Sequence, residues 1–309
     1  MKRVVREATP RALKTIWWIF KLTAAVSFAM FLLRYSGMLY WIGIAVSPVF
    51  SWFGLPGSAA VAYVSGYFIN TYSSIAAMTT ISLTARQITI LGAMQLAAHS
   101  MVVECAVQHK TGTSTAYVLI IRTLGSFLLG FMLNLILPGR EVAVSETVAL
   151  STVPFFNIQG DFLPMLDDWL RSLLKLAVWM TCLIYLLNVL QRALYEFGIM
   201  NILSKILGPL MRVFGLPDKA SFLWVVTNVI GISYGAAAIM DEMDRGTLNP
   251  DEIDLINTHI GMSHSNLEDL LLYTAFGGCW WVMLLSRWTL VTLLVWGLRG
   301  WRHFRPTTV

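Results

Sequence analysis

Charged residues are scarce in this sequence. Asp, Glu, Lys and Arg make up only 13% of its 309 residues, whereas soluble globular proteins carry about 25%. No charge occurs between Arg34 and Arg86 or between Lys219 and Asp241, and a bilayer is crossed by about 20 apolar residues. This shortage excludes a soluble, secreted or nucleic-acid-binding protein, and it predicts an all-α integral membrane protein.

Cysteines and the usual catalytic motifs are also few. The three cysteines lie far apart, without the paired spacing of zinc or redox sites. The chain has no GxxxxGKS, HExxH or GxSxG motif, which argues against ATP-driven transport, zinc proteolysis and serine hydrolysis. We therefore assign no cofactor, no catalytic residue and no metal ligand, and we expect any transport to be driven by a gradient or a partner.

The sequence is internally duplicated. Phe53-Gly54-Leu55-Pro56 recurs 161 positions later as Phe214-Gly215-Leu216-Pro217. Further along, a second set of matches is separated by 165 positions and keeps its order: His99-Ser100 with His264-Ser265, Glu104 with Asp269, Gly112 with Gly277, and Arg122 with Arg287. Because membrane interiors use His and Arg sparingly, these matches indicate two copies of one unit.

Each copy contains the same parts, which predict the architecture. Each copy begins with an apolar span, continues with an amphipathic segment that ends at the FGLP turn and a second span, and ends with a polar segment that carries His-Ser and a final span that carries Arg. We predict two repeats at 1–137 and 169–309, joined by an external linker at 138–168. We predict that each repeat has about three spanning helices, an interfacial amphipathic helix and a re-entrant helical hairpin that carries the His. Because the number of spans per repeat is odd, the two repeats have inverted topology.

The distribution of basic residues predicts the orientation. Lys and Arg concentrate between Lys2 and Lys14 and between Arg299 and Arg305, and such clusters favour the cytoplasmic side. Acidic residues dominate the linker. We expect a multi-pass protein of the inner membrane with both termini in the cytoplasm.

Charged and polar residues inside the apolar spans are the candidate site. Arg122 and Arg287 each cost about 2.5 to 3.5 kcal/mol at a bilayer centre, so they require partners, for which Glu104 and Asp269 are the candidates. These acids could pair with the arginines structurally, gate the path or couple transport to protons. The remaining candidates for solute binding are the two imidazoles, which titrate near neutral pH, their serine neighbours, and two amides in the second spans: His99, Ser100, His264, Ser265, Asn70 and Asn228.

The glycine-rich motifs resemble those of a known family. The FGLP turn, the segment that follows it and two segments of the second copy are similar to the nucleoside-recognition or Gate domain family, over about 48–137 and 209–298; the segments are Gly57–Gly66, Asn228–Gly231 and Ala236–Met240. Relatives include spore maturation membrane proteins, which the second copy resembles most, the membrane part of bacterial ferrous iron transporters, and concentrative nucleoside carriers. The resemblance implies membrane transport with paired gates.

These observations favour a gradient-driven carrier of a small polar solute, anionic or nucleoside-like, bound between the repeats. Two alternatives stay open: divalent metal transport through the His and acidic residues, and a membrane enzyme acting on a lipid-linked substrate. We expect a small-molecule solute and the lipid bilayer as partners and no nucleic acid. The resemblance to spore maturation proteins also leaves room for a homo-oligomer or a second membrane subunit.

Overall fold

The computed structural model describes residues 2–139 and 160–304, and every regular element in these two ranges is helical. Most of the predicted linker at 138–168, and Arg305 of the C-terminal basic cluster, lie outside the described residues. The helices of the first half are α1 (Lys2–Tyr35), α2 (Met38–Phe50), α3 (Ala59–Phe68), α4 (Thr71–Met78), α5 (Ala85–Ala97), α6 (Met101–Lys110) and α7 (Thr115–Ile136).

The second half repeats this order of long and short helices. Its elements are α8 (Phe162–Glu196), α9 (Ile199–Val213), α10 (Ser221–Val229), α11 (Ile232–Asp244), α12 (Pro250–Ser263), α13 (Glu268–Ala275) and α14 (Trp280–Phe304). Both amphipathic segments therefore become one short helix each, α2 and α9, before the FGLP turn.

Five helical stretches in the described part of the chain are long and apolar enough to cross a membrane. They are Arg3–Tyr35, Ala85–Lys110, Thr115–Ile136, Phe162–Glu196 and Trp280–His303. Their lengths of 22 to 35 residues satisfy the roughly 20 residues that a bilayer core requires. The prediction of an all-helical membrane protein is confirmed.

The FGLP motifs end α2 and α9 with the same turn. Gly54 and Gly215 adopt left-handed backbone conformations, with φ of 66° and 74°. The following leucine amides donate to carbonyls five residues back, at 3.0 Å for Leu55 and 2.8 Å for Leu216. This is the Schellman arrangement, which favours glycine because a Cβ is strained at positive φ.

The helical hairpins lie in a different segment from the one predicted. α3 packs along α4 after a connection of two residues, Ile69 and Asn70, and α10 likewise packs along α11. The arms touch closely, since a Cβ on Gly235 would lie 1.8 Å from the Thr227 hydroxyl oxygen.

The segments that carry His99 and His264 are instead interrupted helices. Both pieces of each segment, α5 with α6 and α12 with α13, pack on the final helix of their own half, α7 or α14. The prediction that these segments form the hairpins is wrong. Their high polar content reflects burial inside the protein rather than a return to the side of entry.

Helix α5 lies at the centre of the molecule. Residues Thr89 to Ala97 are buried, and the helix packs on α3 and α7 of its own half and on α12, α13 and α14 of the other. The interruption after Ala97 therefore lies between the two halves, where the polar residues of both copies meet.

Candidate functional site

Each interrupted helix contains a serine with strained backbone. Ser100 and Ser265 have φ of 48° and 57°, and they are the residues other than glycine with positive φ in the part of the chain that the structure describes. A left-handed conformation is costly for a residue with a Cβ. Interrupting a helix also leaves carbonyl groups without their usual amide partners, so these breaks require other donors.

Arg122 and Arg287 supply those donors. Arg122 donates to the carbonyl oxygens of Ala97, at 3.0 Å, and His99, at 3.3 Å. Arg287 donates at the equivalent positions, to Met262 at 3.4 Å and His264 at 3.2 Å. Both arginine side chains are fully buried, and both therefore stabilise the broken helix of their own half.

The two arginines differ in their remaining partner. Arg122 forms an ion pair with Glu104 of its own half, with 2.5 Å between Nη1 and Oε2. Arg287 instead donates to the Asn266 side-chain oxygen at 2.7 Å. Asp269 faces the other half, where its Oδ2 lies 3.3 Å from Nε2 of His99.

His99 and His264 are held in the same way and face each other. Their Nδ1 atoms lie 2.9 and 2.8 Å from the carbonyl oxygens of Gln95 and Ile260. Because a carbonyl only accepts, each Nδ1 donates, and the second ring nitrogen is directed away from the helix. The two rings stack with centroids 5.1 Å apart.

Glu104 joins the two histidines. Its Oε1 lies 3.0 Å from Nε2 of His99, and its Oε2 lies 3.2 Å from Nε2 of His264. The acid from the first half thus contacts the imidazole from the second, while Asp269 from the second half contacts His99. The cluster exists only when both copies are assembled.

A cavity of about 290 Å³ lies beside this cluster. Its walls include seven of the ten candidate residues, drawn from the tip of the α3–α4 hairpin and from both helix breaks: Asn70, His99, Ser100, Glu104, His264, Ser265 and Asp269. Arg122, Arg287 and Asn228 are not part of this lining. The side chains of these three residues instead form hydrogen bonds that connect neighbouring segments of the protein.

The two candidate asparagines have different positions. Asn70 begins α4, where its side-chain oxygen accepts from the Ser73 amide at 2.9 Å. Asn228 is buried within α10, and its oxygen accepts from the Asn266 amide at 2.5 Å. Since Asn266 also accepts from Arg287, Asn228 belongs to a chain of polar contacts behind the cavity.

Sequence reasoning missed two polar contacts that shape the site. The Tyr72 hydroxyl donates to Glu268 at 2.6 Å, joining the first hairpin to α13. The Gln95 amide donates to the carbonyls of Ala62 and Tyr63, at 3.2 and 2.6 Å, and fastens α3 to α5. An isolated polar residue within the apolar stretch of α5 was the available signal for the second contact, because buried amides require partners.

The same cluster also has the composition of a metal site. One ligand atom from each of His99, Glu104 and His264 lies within 4.8 Å of the others. Histidines that bind metals usually donate their other ring N–H to a carbonyl or carboxylate, as both do here. Imidazole nitrogen with carboxylate oxygen suits divalent transition metals.

Comparison with known proteins shows a similarity to one family. The profile of the Gate family, described as nucleoside recognition, matches residues 16–137. An uncharacterized membrane protein, YvoD of Bacillus subtilis (strain 168), is 24% identical over 311 residues, which cover 100% of this chain and 98% of that protein. No solved structure matches this chain significantly. The chain is a helical membrane protein whose residues 16–137 are similar to the nucleoside-recognition Gate family.

Proposed function

We propose that the protein is a gradient-driven carrier of a small polar solute that binds in the cavity between the two halves. The observation that carries the proposal is the cavity itself, which hairpin and helix-break residues from both copies line. Transporters of this kind bind solutes where broken helices from two repeats meet. The Gate family is linked to transport-related membrane proteins, which favours a carrier over an enzyme.

The charges around the cavity favour a neutral or cationic solute over an anion. Glu104, Glu268 and Asp269 line it. The guanidinium groups of Arg122 and Arg287 do not line it; they bind carbonyl oxygens, and Arg122 also neutralises Glu104. Carboxylates accept hydrogen bonds from hydroxyl and amino groups. A solute rich in such donors, such as a nucleoside, therefore fits better than the anion that the arginines alone had suggested.

The membrane arrangement in this proposal is an inverted repeat. Both halves have the same order of elements, and each hairpin and interrupted helix has its counterpart. We place the protein in the inner membrane with the N-terminus of α1 in the cytoplasm, because that end carries Lys and Arg. Alternating access would then follow from movement of one half against the other around the cavity.

A binding screen followed by transport assays tests the proposal. Purified protein is screened for thermal stabilisation by nucleosides, organic cations, carboxylates and phosphorylated solutes, and positive compounds are tested for uptake into proteoliposomes. Glu104→Gln should weaken binding about tenfold or more, because a hydrogen bond to a charged group contributes roughly 1.5 to 3 kcal/mol. Glu196→Gln, outside the cavity, is the control. Uptake that is the same in both variants and the wild type would refute the proposed site.

A divalent transition metal is a second candidate solute, because three ligand atoms already lie together. The Arg122 guanidinium on Glu104 opposes a cation, but Asp269 and Glu268 add negative charge to the same cavity. Metal-stripped protein should then bind one equivalent of Co²⁺ with the absorption bands of nitrogen and oxygen ligation. His264→Gln should abolish this binding and the exposed His109→Gln should not. Absence of binding in the wild type would eliminate the metal.

A further inference from the structure

We infer that the protein contains a second, outer solute site in series with the central cavity, and that the contact between Tyr72 and Glu268 separates the two. The inference rests on the proposed function and assigns the route by which the solute reaches its site. Its ligand is the same neutral or cationic hydrogen-bonding solute.

The outer site is a cavity of about 460 Å³ between α1, α8 and the second hairpin. The amide side chains of Asn188 and Gln191 contribute to its walls, as do the aromatic rings of Tyr195 and Tyr234. Amides and tyrosine hydroxyls can both donate and accept hydrogen bonds, so the walls suit a small solute with hydroxyl or amino groups. The cavity is larger than the central one and can hold the same solute.

Charged residues show that the outer cavity lies near one membrane face. Glu7, close to the start of α1, forms an ion pair with Arg192, close to the end of α8, and both line the cavity. Exposed ion pairs of this kind are stable at the interface and costly inside the bilayer. The outer cavity is therefore reached from the face where α1 begins.

The two cavities meet at Glu268, which lines both. The turn between α10 and α11 also lies between the two cavities, since Ile230 lines the outer cavity and Ile232, the first residue of α11, lines the central one. The Tyr72 hydroxyl holds the Glu268 carboxylate from the opposite side at 2.6 Å. On the inferred route, a solute that moves from the outer to the central cavity crosses this contact.

The cavity at the opposite face is not continuous with the central one. A cavity of about 110 Å³ lies between the far end of α1 and the start of α8, and it shares no lining residue with the central cavity. The central site is thus linked to the face where α1 begins through an acid common to two cavities, and the Tyr72–Glu268 contact separates the cavities in the described state.

Cysteine labelling tests this route without knowledge of the solute. Cys105, Cys182 and Cys279 are replaced with Ala, and single reporters are introduced as Asn188→Cys in the outer cavity and Ile232→Cys at the central one. A membrane-impermeant trimethylammonium methanethiosulfonate is applied to one side of oriented proteoliposomes. Size-exclusion profiles and unfolding temperatures establish that each variant is folded.

Tyr72→Phe should accelerate labelling of the inner reporter about fivefold, as expected for the loss of one hydrogen bond, and leave the outer reporter unchanged. Tyr63→Phe is the control: it removes a buried hydroxyl contact with Ser126, and neither residue lines either cavity. It should change the labelling rate of neither reporter. In protein with both reporters, a bulky maleimide adduct at Asn188→Cys should slow labelling of the inner one.

Three results would overturn the inference: inner labelling that is unaffected by the outer adduct, inner labelling only from the opposite face, or equal rates in Tyr72→Phe and Tyr63→Phe. Failure of the proposed function would be seen differently, as a labelling pattern that follows the predicted route while no solute binds or is transported.

Discussion

Replacing Arg122 with Met should destabilise the protein more than replacing Arg287 with Met, although both side chains are fully buried at equivalent positions. Arg122→Met removes the guanidinium partner of the buried Glu104 carboxylate, and breaking a buried ion pair in this way costs about 3 to 5 kcal/mol. Arg287→Met leaves neutral carbonyl and amide acceptors without a donor, which costs roughly 1 to 3 kcal/mol.

A double-mutant cycle isolates the charge contribution. Arg122→Met combined with Glu104→Gln removes both charges, so the double variant should be more stable than the sum of the single effects predicts, by about 1 to 3 kcal/mol. The matched cycle combines Arg287→Met with Asp269→Asn. Because Arg287 contacts Asn266 and Asp269 contacts His99, its coupling energy should be smaller.

The measurement is the free energy of unfolding in mixed micelles of increasing SDS content, with unfolding followed by tryptophan fluorescence. Reversibility is established by dilution back into the mild detergent. Equal coupling energies in the two cycles, or greater loss of stability in Arg287→Met than in Arg122→Met, would refute the assignment of different partners to the two arginines.

Three further predictions concern backbone and surface features. Gly66→Ala should destabilise the protein by about 1 to 3 kcal/mol, because the added methyl would lie 2.3 Å from a buried amide oxygen, whereas a methyl on the control Gly208→Ala meets nothing within 4 Å; equal unfolding temperatures would contradict this. Ser265→Gly should raise stability by up to ~1 kcal/mol and Ser265→Val should lower it, and the reverse order in thermal unfolding would show that the break is not strained. The exposed Asp218 carboxylate accepts a hydrogen bond from Arg212, which lowers the pKa of Asp218. This contact therefore contributes a small amount to the free energy of unfolding above pH about 4, the pKa in the unfolded chain, and the contribution should be lost as the pH falls below that value. Asp218→Asn should remove that part of the pH dependence, and an unchanged profile would contradict the assignment.

The sequence allowed the membrane class and the candidate residues to be predicted because polar groups are costly in apolar surroundings. A few histidines, acids and arginines in long uncharged runs must be buried with partners, and seven of the ten candidates indeed line one cavity. Glu104 and Asp269 were the predicted candidates for the arginines' partners, and Glu104 does pair with Arg122; the sequence left open whether each partner comes from the same half or from the other.

The contacts between the two copies could not be predicted in the same way. Hydrophobic periodicity shows which face of a helix is buried, and it does not show which distant helix covers that face. The contact of Asp269 with His99 and that of Tyr72 with Glu268 both join separate copies. The hairpins were misplaced for a related reason: Asn, Gly and Ser occur in both candidate segments, and only packing distinguishes a turn from a break.

The interrupted helix of the second half has a consequence for how the chain enters the membrane. The segment Pro250–Ala275, which forms α12 and α13, is not among the five apolar stretches in the described residues, whereas its counterpart Ala85–Lys110 is. Insertion machinery recognises segments by hydrophobicity, so this segment is a poor substrate on its own. Its buried side chains obtain their partners from the first copy, as Asn257 does from Thr111 and Thr113. We therefore expect stable insertion of this last polar segment to require the first half to be in place already.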